Sequence, residues 1–207
     1  MKLQGYTKLG GGVDGVAFTK HEGTVIKILV PRGDEETKLN MGRTLKPFTL
    51  FYQFCMKNQK LPCLPKFHEI SGSHTQPFVV NGTEYLQIAM ERLLPLPQGS
   101  MNYGMTWFLS SLIDMHMKWE DIKGFLDNPE KLEDFMESYP GKDKKKLIQM
   151  MKKMTPHETL KYEILAKTMV LLYDIGKTNG LGWDLHTSNV MQRSDGMPVI
   201  IDPWVLF

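Results

Sequence analysis

Apolar and polar residues alternate in short runs up to about residue 93, and recur at three- and four-residue spacing through much of the rest. The runs at 16–18, 24–30, 64–70 and 77–80 read as strands. Asn81-Gly82 is a hairpin signal leading into another strand at 83–90. Residues 5–30 thus form a hairpin and a following strand, and the whole makes a sheet of about five antiparallel strands. Between strands lie a charged, turn-like stretch at 31–43 and an apolar helix at 45–57. Residues 91–97, with Pro95 and Pro97, leave the sheet as a proline-stiffened connector.

Beyond the connector the period is helical. Phe108, Ser111, Leu112, Met115 and Trp119 predict an amphipathic helix over 104–119, with His116 as a packed or surface histidine beside it. Residues 120–154 divide by charge. An acidic half runs from Glu120 to Glu137, and a basic half from Lys142 to Lys153, around a turn at Tyr139-Pro140-Gly141. Leu132, Phe135, Met136 and Tyr139 make one stripe; Leu147, Met150, Met151 and Met154 make another. Two amphipathic helices in a hairpin of complementary charge is one reading, and a docking surface for an acidic partner is the other. Thr155 and Pro156 open a helix over 157–177. Its second half is apolar nearly all round, which predicts burial. Gly176 and Asn179-Gly180 are expected to end it.

Composition narrows this little. The chain has 207 residues, enough for one large domain or two small lobes. A hydrophobic share of 42% and a charged share of 23% are globular values. A net charge of +2 points to neither nucleic acid nor membrane, and the lysine-rich half lacks the interleaved aromatics of a nucleic-acid binder. The N-terminus has no apolar signal-like run, and no stretch is apolar enough to span a membrane. Cys55 and Cys63 lack neighbours at zinc spacing, so free thiols in a reducing compartment are expected. Fifteen methionines read as adaptable core filling.

The chemistry is concentrated near the end. Asp184 is followed five positions later by Asn189, and Asp202 comes thirteen after that, behind the apolar run 198–201. Phosphoryl transfer of the kinase kind needs such a set: one Asp to orient and deprotonate a hydroxyl, and an Asn and a second Asp to hold Mg²⁺. Upstream, Gly10, Gly12 and Gly15 form a Gly-x-Gly-x-x-Gly run that includes Gly11. Alone it is equally a set of hairpin glycines. A strand follows it rather than a helix, which excludes the dinucleotide-binding arrangement. Lys27 lies within an apolar strand, where it either snorkels to solvent or faces the phosphates of a nucleotide.

Taken together, these residues resemble the protein-kinase-like fold, and within it the early serine/threonine protein kinases of podophages. The likeness rests on Leu9 to Gly12, Val25 to Lys27, Phe54-Cys55, Asp184 to Met191, and Asp202-Pro203. It implies an α+β, two-lobed architecture: a small antiparallel-sheet lobe with one helix over 1–93, and a reduced, mostly helical lobe over 94–207. The latter carries the charged hairpin at 120–154 and the catalytic and metal loop at 182–204. It implies a cytoplasmic, ATP-dependent kinase with Mg²⁺ or Mn²⁺, made early in infection and acting on host proteins. Those proteins would be substrates or inhibited targets, and could dock on the 120–154 hairpin.

The resemblance also assigns roles. Gly10, Gly11, Gly12 and Gly15 cover the phosphates, and Lys27 holds them. The backbone at Glu91 and Leu93 reads the adenine. Asp184 orients the substrate hydroxyl, and Asn189 and Asp202 bind the metal. His186 stands where a cellular kinase has a lysine that touches the transferring group. Other departures are Gly182-Trp183 before the catalytic Asp, Pro203-Trp204 after the metal Asp, and no acid within 45–57 to pair with Lys27, with Gln53, Glu35 and Glu36 as substitutes. Five residues follow Asp202, so no activation segment is expected. Aminoglycoside-type phosphotransferases share the Asp-Leu-His-x-x-Asn run, so a small-molecule acceptor is one alternative. A non-catalytic binder that inhibits a host protein is another.

Overall fold

The computed structural model describes residues 5–12, 15–19, 23–29, 46–69, 75–80, 83–136 and 144–206. The turn residues Val13, Asp14, Asn81 and Gly82, the charged stretch 31–43 with Glu35 and Glu36, and the turn Tyr139-Pro140-Gly141 lie outside these residues. The protein is mixed α/β and divides into two compact units. The first is built of Met1–Lys60 and Leu64–Leu93, the second of Leu61–Cys63 and Leu94–Val205.

The first unit is an antiparallel sheet with one helix. β1 (Thr7–Gly12), β2 (Gly15–Thr19) and β3 (Thr24–Leu29) are consecutive neighbours, and β6 (Thr83–Glu91) lies beside β3. Two short strands, β4 (Phe67–His68) and β5 (Thr75–Val80), share the far edge of β6: Phe67 faces Met90, and Val80 faces Thr83. The sheet is therefore five strands wide but made of six segments. Among the described residues 64–69, Phe67 and His68 form the strand; next to them Lys66 donates its amide to the Glu91 carboxylate at 2.8 Å and accepts the Glu91 amide on its carbonyl at 2.9 Å. Phe18, Val25, Ile28, Leu29, Ile88 and Ala89 are buried. Helix α1 (Lys46–Lys57) buries Phe51, Phe54 and Cys55, while Phe48 and Tyr52 meet Phe67 edge-on at 6.4 and 5.1 Å.

In the second unit, α2 (Met101–Asp114) starts at the N-cap Ser100, whose side chain accepts from the Tyr103 amide. The expected helix over 104–119 ends early. His116 takes φ +59, its amide donates to the Ile113 carbonyl, and the Met117 amide donates to that of Leu112. This is a Schellman ending with histidine where glycine is usual. The Tyr173 hydroxyl bonds His116 Nδ1 at 2.6 Å and supports that conformation. The buried stripe of α2 is accordingly Met105, Phe108, Leu109, Leu112 and Ile113, and Met115 is exposed.

Among its described residues the charged segment holds three helices, α3 (Trp119–Asp127), α4 (Lys131–Met136) and α5 (Lys144–Met151). Ile122, Leu126, Leu132, Leu147, Ile148 and Met151 are buried, so the segment belongs to the core of its unit. Lys152 approaches Glu130 at 3.9 Å, whereas Lys123 pairs with Asp127 on its own helix at 2.7 Å and with Glu163 at 3.5 Å.

Helix α6 (Pro156–Thr178) opens on a capping box between Thr155 and Glu158, with Pro156 in the first turn. Asn179 caps its end and Gly180 takes φ +68, with Leu181 N–H bonded to the Gly176 carbonyl. Gly176 itself does not end the helix; it lies buried within it. The second half of α6 is not buried all round either, since Leu171 is exposed. The connector 91–97 also differs from expectation. Leu94–Pro95 forms β7, which pairs with β9 (Val190–Gln192) beside β10 (Pro198–Ile200). Among the described residues, no helix is long and apolar enough to cross a membrane.

Candidate active site

The Asp184 loop is built from very short elements. β8 (Gly182–Trp183) brings the chain out of α6, and a 3₁₀ turn (Thr187–Asn189) feeds β9. His186 is the extended residue before that turn and caps it: Nδ1 accepts from the Ser188 amide at 3.2 Å. Because Nδ1 accepts, the neutral ring carries its proton on Nε2. Nε2 stands 4.0 Å from Asp184 Oδ1. It is also 3.3 Å from Asn189 Nδ2, an approach of two donors in that tautomer and so no hydrogen bond.

Asn189 closes the loop. Its Nδ2 donates to the Asp184 carbonyl at 2.6 Å and reaches Asp184 Oδ2 at 3.5 Å. With the amide nitrogen so engaged, Oδ1 is the atom of Asn189 that carries lone pairs to offer a cation. From the other side, Ser110 of α2 donates its hydroxyl to the Leu185 carbonyl, so a buried helix face holds the loop's base. Asp184 and His186 remain about half exposed, at 48% and 55% of their side chains.

Asp202 arrives by backbone pairing. The Ile201 amide donates to the Asn189 carbonyl at 2.9 Å, and the Asp184 amide donates to the Pro203 carbonyl at 3.0 Å. Asp202 lies between these two bonds. Just beyond, β11 (Trp204–Val205) pairs with β8, Trp204 opposite Trp183. On its N-terminal side, the Ile200 amide donates to the Cys63 carbonyl at 2.9 Å. The second unit thus brings Asp184, His186, Asn189 and the Asp202 backbone into one bonded cluster.

The candidate oxygen donors, the carboxylates of Asp184 and Asp202 and the amide of Asn189, are hard ligands that suit Mg²⁺ or Mn²⁺ better than zinc. Among the described residues, no group of three or more His, Cys, Asp and Glu side chains is placed to hold a metal ion by itself. A set this small fits a cation that shares its coordination with substrate phosphates.

The remaining candidates belong to the first unit. Lys27 lies mid-strand in β3, opposite Ala17 of β2 and Ile88 of β6, and is half-buried. Gly10, Gly11 and Gly12 lie on β1, where the register slips between Lys8 and Gly10 and leaves Leu9 exposed. Gly15 has a packing reason of its own: at φ +154, a Cβ there would fall 2.1 Å from the Ile28 carbonyl oxygen. A Cβ at Gly10 would meet nothing within 4 Å. The Glu91 and Arg92 amides are taken by the Lys66 and Gly23 carbonyls, each at 2.9 Å, so neither is available to a base. Leu93 is buried.

Sequence reasoning missed the groups that support the cluster: Ser110, the Cys63 carbonyl, and Asn102. Asn102 is buried in α2. It donates to Gln192 Oε1 at 2.7 Å and to the Gly196 carbonyl at 2.9 Å, and it accepts from the Tyr162 hydroxyl at 2.8 Å. That bond set ties the β9–β10 hairpin to α2 and α6. The available signal was a polar residue on the apolar face of a helix.

No protein-family model matches the chain. No curated protein matches its sequence either.

Proposed function

We propose that the chain is an ATP-dependent serine/threonine protein kinase of the phage type, with a two-lobed kinase-like architecture. It would act on host proteins in the bacterial cytoplasm. The observation that supports it is the bonded Asp184–Asn189–Asp202 cluster. The exposed Asp184 carboxylate lies on a loop braced by Asn189, and the main chain on both sides of Asp202 is hydrogen-bonded to that loop.

In this reading the substrate hydroxyl attacks the γ-phosphorus of ATP, the bond to the β,γ-bridging oxygen breaks, and ADP leaves. Asp184 orients the hydroxyl and takes its proton. His186, with its proton on Nε2, donates a hydrogen bond to the transferring group. Lys27 neutralises phosphate charge, and Gly10, Gly11 and Gly12 let β1 approach it closely. Asn189 and Asp202 would hold Mg²⁺, which would supply charge neutralisation on the phosphates. Catalysis of this kind is positioning and electrostatics, with little covalent work for the protein.

The test uses γ-labelled ATP with purified protein and a bacterial lysate. Label is expected in protein bands, and is expected to disappear with Asp184→Ala and Asp202→Ala. Label appearing in small solutes would favour the small-molecule phosphotransferase. Transfer at the wild-type rate by Asp202→Ala would refute the assignment. A host protein still bound and inhibited by the Lys27→Ala/Asp184→Ala variant would favour the non-catalytic binder. Phosphoproteomics of cells expressing wild type or Asp184→Ala would then identify targets.

A further inference from the structure

Gly176 and Trp204 have no part in the roles above, yet they meet. A glycine inside a helix is less favourable than alanine, yet α6 carries Gly176 within its last turn. A Cβ at Gly176 would fall 2.5 Å from Trp204 Nε1 and 2.8 Å from its Cδ1. The missing side chain is therefore the notch that admits the indole. Trp204 is 3% exposed, and its Nε1–H donates to the Leu172 carbonyl at 3.0 Å, one turn back along the same helix. The ring is fixed by shape on one side and by a directed hydrogen bond on the other.

The anchored ring is two residues from Asp202. Between them, Pro203 receives the Asp184 amide, and Trp204 pairs with Trp183 across the β8–β11 bridge. A two-residue strand pair is weak alone, so the register of 201–205 against 182–189 needs support from elsewhere. The Gly176 notch supplies it from the buried face of α6.

We infer that Trp204, seated on Gly176, is a positioning residue for Asp202, holding its carboxylate in register with Asp184 and Asn189. This rests on the reading of Asp202 as a metal ligand. It makes the metal position a fixed property of α6. A mere packing role would lower stability when Trp204 is changed and leave metal affinity alone.

The experiment measures Mn²⁺ binding to the full-length protein–ATP complex by the electron paramagnetic resonance of free Mn²⁺. Thermal midpoints and hydrogen exchange at the Asp184 amide are followed in parallel. Trp204→Phe keeps an aromatic ring and removes the N–H donor; Gly176→Ala fills the notch. Both are expected to weaken Mn²⁺ binding by about tenfold or more, as loss of a ligand's supporting partner does, and to speed exchange at the Asp184 amide. Affinity for metal-free ATP should be little changed. Folded variants with lower midpoints but wild-type Mn²⁺ affinity and exchange would overturn the inference. If wild type binds no Mn²⁺–ATP, the metal-site reading fails by itself. Exchange at the Asp184 amide then decides whether Trp204 sets the register: unchanged exchange in Trp204→Phe overturns that too.

Discussion

Asn189 Nδ2 donates to the main-chain carbonyl of Asp184 at 2.6 Å, so the residue that offers its other amide atom to a cation also fixes the loop carrying the exposed carboxylate. The two roles separate by substitution. Asn189→Ala removes one partly exposed hydrogen bond, expected to cost about 1 kcal/mol. Asn189→Asp replaces the donor with a negative acceptor facing the Asp184 carbonyl and carboxylate, and is expected to cost more although it keeps an oxygen ligand. Urea unfolding gives the order; equal midpoints for the two would contradict this account.

The glycines of the first hairpin are not equivalent. Gly15→Ala drives a Cβ into the Ile28 carbonyl at 2.1 Å, in a backbone conformation alanine rarely adopts. It should lower the thermal midpoint and soluble yield. Gly10→Ala enters open space and should leave the midpoint unchanged. Weaker ATP binding by Gly10→Ala would therefore report on the nucleotide, not on folding. A stable Gly15→Ala protein would show that β2 and β3 do not pack as described.

Asn102 is the polar centre of the second unit. Asn102→Ala leaves the buried Tyr162 hydroxyl and the Gly196 carbonyl without their partner, and is expected to cost about 2–4 kcal/mol. Tyr162→Phe removes a single hydroxyl and should cost less. Denaturant midpoints of both variants and their double mutant check this. Additive losses would argue against a shared network.

Burial raises the Cys63 thiol from 9.0 to about 11, against the lowering effects of the Thr168 hydrogen bond and the Arg193 charge. The folded state therefore keeps a proton that the unfolded chain loses. Stability is full below pH 9.0 and falls as pH rises toward 11. The slope approaches one proton, about 1.4 kcal/mol per pH unit. Burial, then the Glu158 carboxylate, raises the Tyr162 phenol in the same sense, and its window opens above its ordinary 10.0. Cys63→Ala should flatten the first part of the curve. An identical decline in both proteins between pH 9.0 and 10.0 would remove the thiol from the explanation.

What the sequence determined by itself was local. Alternation and the run 83–90 marked the sheet. The Thr155-Pro156-x-Glu158 start and the Asn179-Gly180 stop bounded α6 almost to the residue, because caps are set by neighbouring side chains. The spacing of Asp184, Asn189 and Asp202 also stood in the chain as a pattern. Tertiary structure decided the rest. Helix α2 stops at Asp114 because His116 takes a glycine-like conformation supported by Tyr173, 57 positions away. Gly176 reads as a helix stop until Trp204 occupies its notch. Residues 94–95 read as a connector until β9 pairs with them. The 120–154 segment reads as a charged hairpin, yet Leu132, Leu147 and Met151 of its apolar stripes are buried. Each of these outcomes depends on a partner far along the chain. Local periodicity carries no information about such partners, because packing and main-chain pairing between distant segments are settled only when the chain closes on itself.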